Sequence, residues 1–123
     1  MGRLQEEFLV RVERFADGVL DVAGLLERRH CPRRIVSQII GAGTSVGANT
    51  FEADEAMSRA DFCRCLNIAV KELNETRFWL RLIVRPGWVA TDSLGPLETA
   101  CLELKRILGA VLTRTRAGTK PVS

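Results

Sequence analysis

The chain carries a single histidine, His30, and that scarcity removes most catalytic and metal chemistry at the outset. One histidine beside four cysteines makes no zinc-ligand spacing. Cys63 and Cys65 stand two apart in a helical stretch, so they point about 200° apart and cannot chelate one ion together. The cysteines therefore read as free thiols in or near a core. A Ser/His/Asp or Cys/His relay has only His30 to draw on, in a connecting segment with nothing beside it to complete the set. Asn49, Glu52, Glu72 and Glu75 would suit a di-metal bundle only with Glu-x-x-His on two helices, and that pattern is missing. These residues are expected to make hydrogen bonds and salt bridges between helices instead. No catalytic residue, cofactor or metal is expected, and the chain reads as a non-enzyme.

Long apolar runs are missing too. The longest uncharged one, residues 36–50, is broken by Ser, Gln, Thr and three glycines, which makes it too short and too polar to span a bilayer. The first ten residues, MGRLQEEFLV, hold acids where a signal peptide has basic and then apolar residues. A cytoplasmic protein without a membrane partner is the expectation. Alternation of the strand type is absent throughout. The net charge of +3 is mild, so the placement of the charges carries more information than their sum.

What the 123 residues do contain is helical periodicity, and 46% hydrophobic content is enough for one full core. Phe62, Leu66, Ala69, Leu73, Thr76, Leu80 and Ile83 advance in steps of 4, 3, 4, 3, 4 and 3, which is one face of an α-helix. Ser58 with Asp61 three residues on forms an imperfect capping box at its start, and Pro86-Gly87 stops it near Arg85. Upstream, Leu4, Phe8, Val12, Phe15, Val19, Val22 and Leu26 predict a first helix over 2–28. A second stripe, Leu9, Ala16, Leu20 and Ala23, widens its face enough to need two neighbours. Pro32 fits the first position of a second helix over 32–53, with Ile35, Ile39, Ala42, Val46 and Ala53 inward.

Gly41, Gly43 and Gly47 each cost about 1 kcal/mol in that helix interior. Because the apolar row keeps its period across them, one continuous helix is expected there, with a loop at 41–47 splitting two shorter helices as the alternative. The small residues would let a neighbour approach closely. Residues 52–60 read as the turn into the third helix. A fourth helix starts near Asp92 or Ser93, with Gly95-Pro96 in its first turn and Leu94, Leu97, Cys101, Leu104, Leu108 and Val111 inward. The prediction is all-α: an antiparallel up-down-up-down four-helix bundle over 1–116, with a disordered tail at 117–123.

Ser45-Val46-Gly47-Ala48-Asn49, Glu52, Asp61-Phe62, Leu66-Asn67-Ile68-Ala69 and the run Glu72 to Leu80 are landmarks in a specific order and spacing. With them, residues 34–113 resemble the small bacterial four-helix-bundle proteins encoded in intervening sequences of the large-subunit ribosomal RNA gene. Many relatives carry proline where this chain has Gly47. The resemblance implies a homo-oligomer, most often a pentamer, without catalytic activity. It also implies a more distant kinship with the accessory variability protein of diversity-generating retroelements, a pentameric bundle that binds nucleic acid and a reverse transcriptase.

Three residue groups carry the functional reading. Arg28, Arg29, Arg33, Arg34, Arg81 and Arg85 should meet at one pole of an antiparallel bundle, with His30 among them. They would either contact phosphates of RNA or DNA or sit as solvated charges favoured by helix C-termini. Asn67, Lys71, Asn74 and Arg81 lie within about 80° on one flank of the third helix, where they could bind a partner or simply face water. Phe78, Trp79 and Leu82 are apolar on the side away from the core row and mark either a subunit interface or an unusually wide core. Two functions from different classes follow. One is an oligomeric bundle that binds nucleic acid without strong sequence preference, as accessory to an RNA- or reverse-transcriptase-linked process. The other is a protein-binding scaffold that docks a partner enzyme.

Overall fold

The computed structural model describes residues 2–118. Its four helices are α1 (Glu6–Arg28), α2 (Arg33–Asp54), α3 (Arg59–Leu82) and α4 (Thr91–Arg116). Neighbours pack around a square in the order α1, α2, α3, α4 and back to α1, and among the described residues the diagonal helices make no close backbone approach. This is the expected antiparallel four-helix bundle. Among the described residues no helix is long and apolar enough to cross a membrane.

The periodic rows meet at its axis. All seven α3 row residues are buried, joined by Cys65. Ser58 caps that helix by accepting a hydrogen bond from the Asp61 amide at 3.1 Å. Asp61 does not complete the box, because its carboxylate accepts from Arg64 instead. The second α1 stripe is only half inward: Leu9 and Ala23 are buried, while Leu20 faces water.

Helix α2 is continuous through its glycines. A Cβ built on Gly43 would lie 2.4 Å from Cγ1 of Val19, and one on Gly47 would lie 3.4 Å from Cγ1 of Val12. Two valines of α1 thus face two glycines of α2; at Gly43 the missing side chain lets the helices close on each other, while a methyl at Gly47 would make only ordinary contact.

Five boundaries differ from expectation. Helix α3 stops at Leu82 rather than near Arg85, with Ile83 as its cap donating to the Trp79 carbonyl. Helix α1 starts at Glu6 because Arg3 and Leu4 are held elsewhere: their amides donate to the Asp54 carbonyl (3.0 Å) and carboxylate (2.7 Å). The Arg3 side chain also donates to the Ala56 carbonyl and lies over the Phe62 ring. Helix α2 continues to Asp54, since Ala53 is fully buried and draws its last turn inward, which leaves only 55–58 as the link. Pro32 precedes α2 as its cap rather than opening it, with its carbonyl accepting from Ile35 and Val36. Helix α4 begins at Thr91 after Ala90, so neither Asp92 nor Ser93 caps it and Pro96 falls in the second turn. Buried Val89 and Leu94 occupy the two staple positions around that start, and their burial sets the entry in place of a polar cap. The expected tail at 117–123 lies outside the described residues from 119 onward.

The turn after α1 is closed by a pair of backbone bonds, Cys31 N–H to the Leu26 carbonyl and His30 N–H to the Glu27 carbonyl. That is a Schellman motif, and His30 fills its left-handed position at φ 60°. A side chain there is strained, whereas glycine is not. His30→Gly is expected to raise the urea midpoint, by roughly 0.5–1 kcal/mol of stability. An unchanged or lower midpoint would show that this turn stores no strain.

Candidate nucleic-acid interface

The antiparallel path returns the end of α3 to the turn between α1 and α2. Arg28, Arg29, Arg33, Arg34, Arg81 and Arg85 are all exposed there, together with His30. Among the described residues two ion pairs form, Arg11–Glu103 and Arg64–Asp61, and neither involves these arginines. Glu27 lines a cavity with His30, Cys31 and Arg33.

Residues 83–90, between α3 and α4, knit this end together. Gly87 takes φ +85° and turns the chain back. The Trp88 amide donates to the Arg85 carbonyl at 3.1 Å, and isolated bridges join Val89 to Val84 and Arg85. Val89 is buried, and Trp88 packs half-buried against the core. Two arginines converge on this tryptophan. Arg29 donates from Nη1 to the Trp88 carbonyl at 2.5 Å. The guanidinium carbon of Arg85 sits over the indole, 5.1 Å from the ring centroid. Beside them lies a cavity of about 470 Å³ lined by Arg29, Val84, Arg85, Pro86, Gly87 and Thr91, among others. Its lining contains no carboxylate.

Sequence reasoning missed Trp88. The available signal was an aromatic residue three positions after an arginine of the basic pole, in a segment read only as a connector. Lys71 is exposed but does not join the pole, standing ten residues before Arg81, about 15 Å along the helix. Asn67, the first residue of that flank, accepts a hydrogen bond from Arg116 of α4 at 3.0 Å.

On the outer side of α3, Phe78 is 57% exposed and meets Trp79 edge-on, with ring centroids 5.1 Å apart. Trp79 and Leu82 are half-buried, and the Trp79 indole donates to Glu75. The bonds expected between helices at Asn49 and Glu75 are made within each helix instead. Asn49 donates to the carbonyl and hydroxyl of Ser45, one turn away, because its short side chain reaches its own helix first. Glu72 is half-buried, and desolvation, reinforced by Glu75 and opposed by Lys71, raises its pKa.

The buried thiols Cys31, Cys65 and Cys101 are poor nucleophiles. Desolvation pushes Cys101 up to about 12, with Glu98 adding to the effect and Arg77 opposing it. Cys31 is also raised by burial, against the pull of Arg85. A thiol held protonated at neutral pH is a weak nucleophile and a weak metal ligand.

The fold and the unpaired basic pole define a helical-bundle protein whose distinctive surface is cationic. The family model of the 23S rRNA-intervening sequence protein matches residues 12–110, and the chain belongs to that family. A crystal structure of a protein of unknown function from the S23 ribosomal protein family of Bacteroides thetaiotaomicron is similar, with a TM-score of 0.80 and 32% identity. The match covers 85% of this chain and 97% of that one. No curated protein matches the chain.

Proposed function

We propose that this protein is a non-enzymatic, oligomeric bundle that binds nucleic acid without strong sequence preference through its basic pole, as accessory to an RNA- or reverse-transcriptase-linked process. One observation carries the reading: six exposed arginines gather at one end of the bundle with no carboxylate paired to them. Structural arginines at helix ends commonly find acids, whereas a cluster left without them gains most from an outside polyanion. Arginine also matches phosphate geometry bidentately. The family's link to a ribosomal RNA gene agrees with such a ligand. A protein-binding scaffold that docks a partner enzyme is the second reading, favoured by the exposed Phe78 beside Trp79.

Salt separates the two. Fluorescence anisotropy with a labelled RNA should show binding at low salt that weakens by about a thousandfold between 50 and 200 mM, if the six arginines each neutralise one phosphate. Absence of binding at low salt would sink the nucleic-acid reading and leave the scaffold.

Assembly is the other half of the proposal. Light scattering should report a multiple of the 13.7 kDa chain mass, with five copies the number favoured by family resemblance. Trp79→Glu should shift the protein toward monomer, since it places a carboxylate one turn from Glu75 and on the proposed contact. A parent protein that scatters as 13.7 kDa at micromolar concentration would refute oligomerisation.

A further inference from the structure

We propose that the segment between α3 and α4 selects single-stranded nucleic acid. An unpaired base stacks on the Arg85 guanidinium, which the Trp88 indole backs, while Arg29 and Arg85 hold the adjoining phosphate. This rests on the reading of the pole as a nucleic-acid surface and adds the strand class.

The geometry supplies each part. Trp88 is anchored through its packing on the core, through its amide bond to the Arg85 carbonyl and through the Arg29 bond to its own carbonyl. Its ring therefore holds a fixed position at the surface. Arg85 lies over that ring, with its guanidinium carbon 5.1 Å from the centroid, so the indole contacts the cation from one side. The residue remains exposed, so an incoming base can reach it. A guanidinium plane is a stacking surface for nucleobases, and a sequence-tolerant one. The adjacent open depression, of about 470 Å³, lies at the surface beside them. It presents Arg29 and Arg85 with no carboxylate in its wall, so it suits the phosphate that follows the stacked base. In a duplex the base faces are already stacked on one another and only the phosphates are free. Arg29 and Arg85 would then act as two more cations, and the indole would add nothing.

The competing explanation is that Arg85 and Trp88 merely pin the loop. Arg85→Lys tests this, because lysine keeps the charge but has no plane to stack. In a Trp79→Phe background Trp88 is the sole tryptophan, so its emission reports this site. A short oligoadenylate and a duplex with the same number of phosphates are titrated at low salt. The single strand should quench Trp88 and bind about tenfold more tightly than the duplex, as expected for one base stack. Arg85→Lys should abolish the preference, while duplex affinity falls only by the modest factor that loss of one bidentate phosphate contact brings, since the charge is kept. Anisotropy of the labelled oligonucleotides on the parent protein gives the same preference without relying on the Trp79 variant. Equal affinity for both strands, absence of quenching, or a preference that survives Arg85→Lys overturns the inference while leaving the nucleic-acid reading in place. Failure of both strands to bind overturns the two together.

Discussion

Gly43→Ala is expected to destabilise the bundle by about 2 kcal/mol, while Gly41→Ala, two residues away on the same helix, stabilises it by about 1 kcal/mol. Both changes raise helix propensity equally. They differ in what the new methyl group meets. At Gly41 a Cβ has no atom within 4 Å. At Gly43 it would lie 2.4, 2.7 and 2.9 Å from Cγ1, Cγ2 and Cβ of Val19. Rotating the valine cannot relieve this, since its Cβ is itself too close and β-branched rotamers in helices are restricted. The two helices must part, and that loosens the seam between α1 and α2 that Val12 and Gly47 continue.

Overpacking of this kind costs about 1–3 kcal/mol, and backbone-near contacts belong at the upper end of that range. Urea unfolding with an unchanged slope reads the difference directly. In a Val19→Ala background the Gly43→Ala change should cost clearly less, since two of the three clashing atoms are gone and only the Cβ contact remains, and neighbouring changes couple. Equal midpoints for Gly41→Ala and Gly43→Ala would mean that the α1–α2 contact is not as close as described.

Replacing Arg29, Arg33 and Arg34 together by glutamate should lower nucleic-acid affinity on the order of a hundredfold at low salt, and by the same factor for every sequence. Each arginine that contacts a phosphate contributes about one unit to the slope of log affinity against log salt. Three of them should flatten that slope by about three, and the introduced carboxylates add repulsion. Helicity and oligomer size should change little, because all three side chains are exposed and make no ion pair. Arg29 does lose its bond to the Trp88 carbonyl, so Arg33→Glu with Arg34→Glu alone is the cleaner control for loop damage. A triple variant that binds as the parent does at equal salt would move the site elsewhere. Lys71 with Asn74 on the flank of α3 would then be the next surface to test, both being exposed.

The helices were legible because burying a periodic apolar face dominates the energetics of a bundle. The α3 row advances by threes and fours without interruption, and every member of it is buried. The same logic kept α2 whole across three glycines, where propensity alone would have broken it. The convergence of the arginines followed from topology, since an up-down bundle must bring the end of α3 back to the first turn.

Bonds between distant residues left no such trace. The Leu4 amide and the Asp54 carboxylate are 50 residues apart, and Leu4 keeps the α1 apolar period although it lies outside the helix. Period and helix are separable at an end, because only the backbone bonds decide where the helix begins. The Arg29 guanidinium and the Trp88 carbonyl are 59 residues apart and meet in a segment with no repeating pattern to read.

By itself, then, the sequence determined the helical class, the four helices, their core faces and the pole at which the arginines gather, because each follows from local period and short links. The tertiary structure alone decided which glycine seats a valine of α1, which residue opens α4, and how Trp88 comes to hold Arg29 and Arg85. Those outcomes depend on side-chain volumes and on donors and acceptors meeting across the bundle, and neither has a period along the chain.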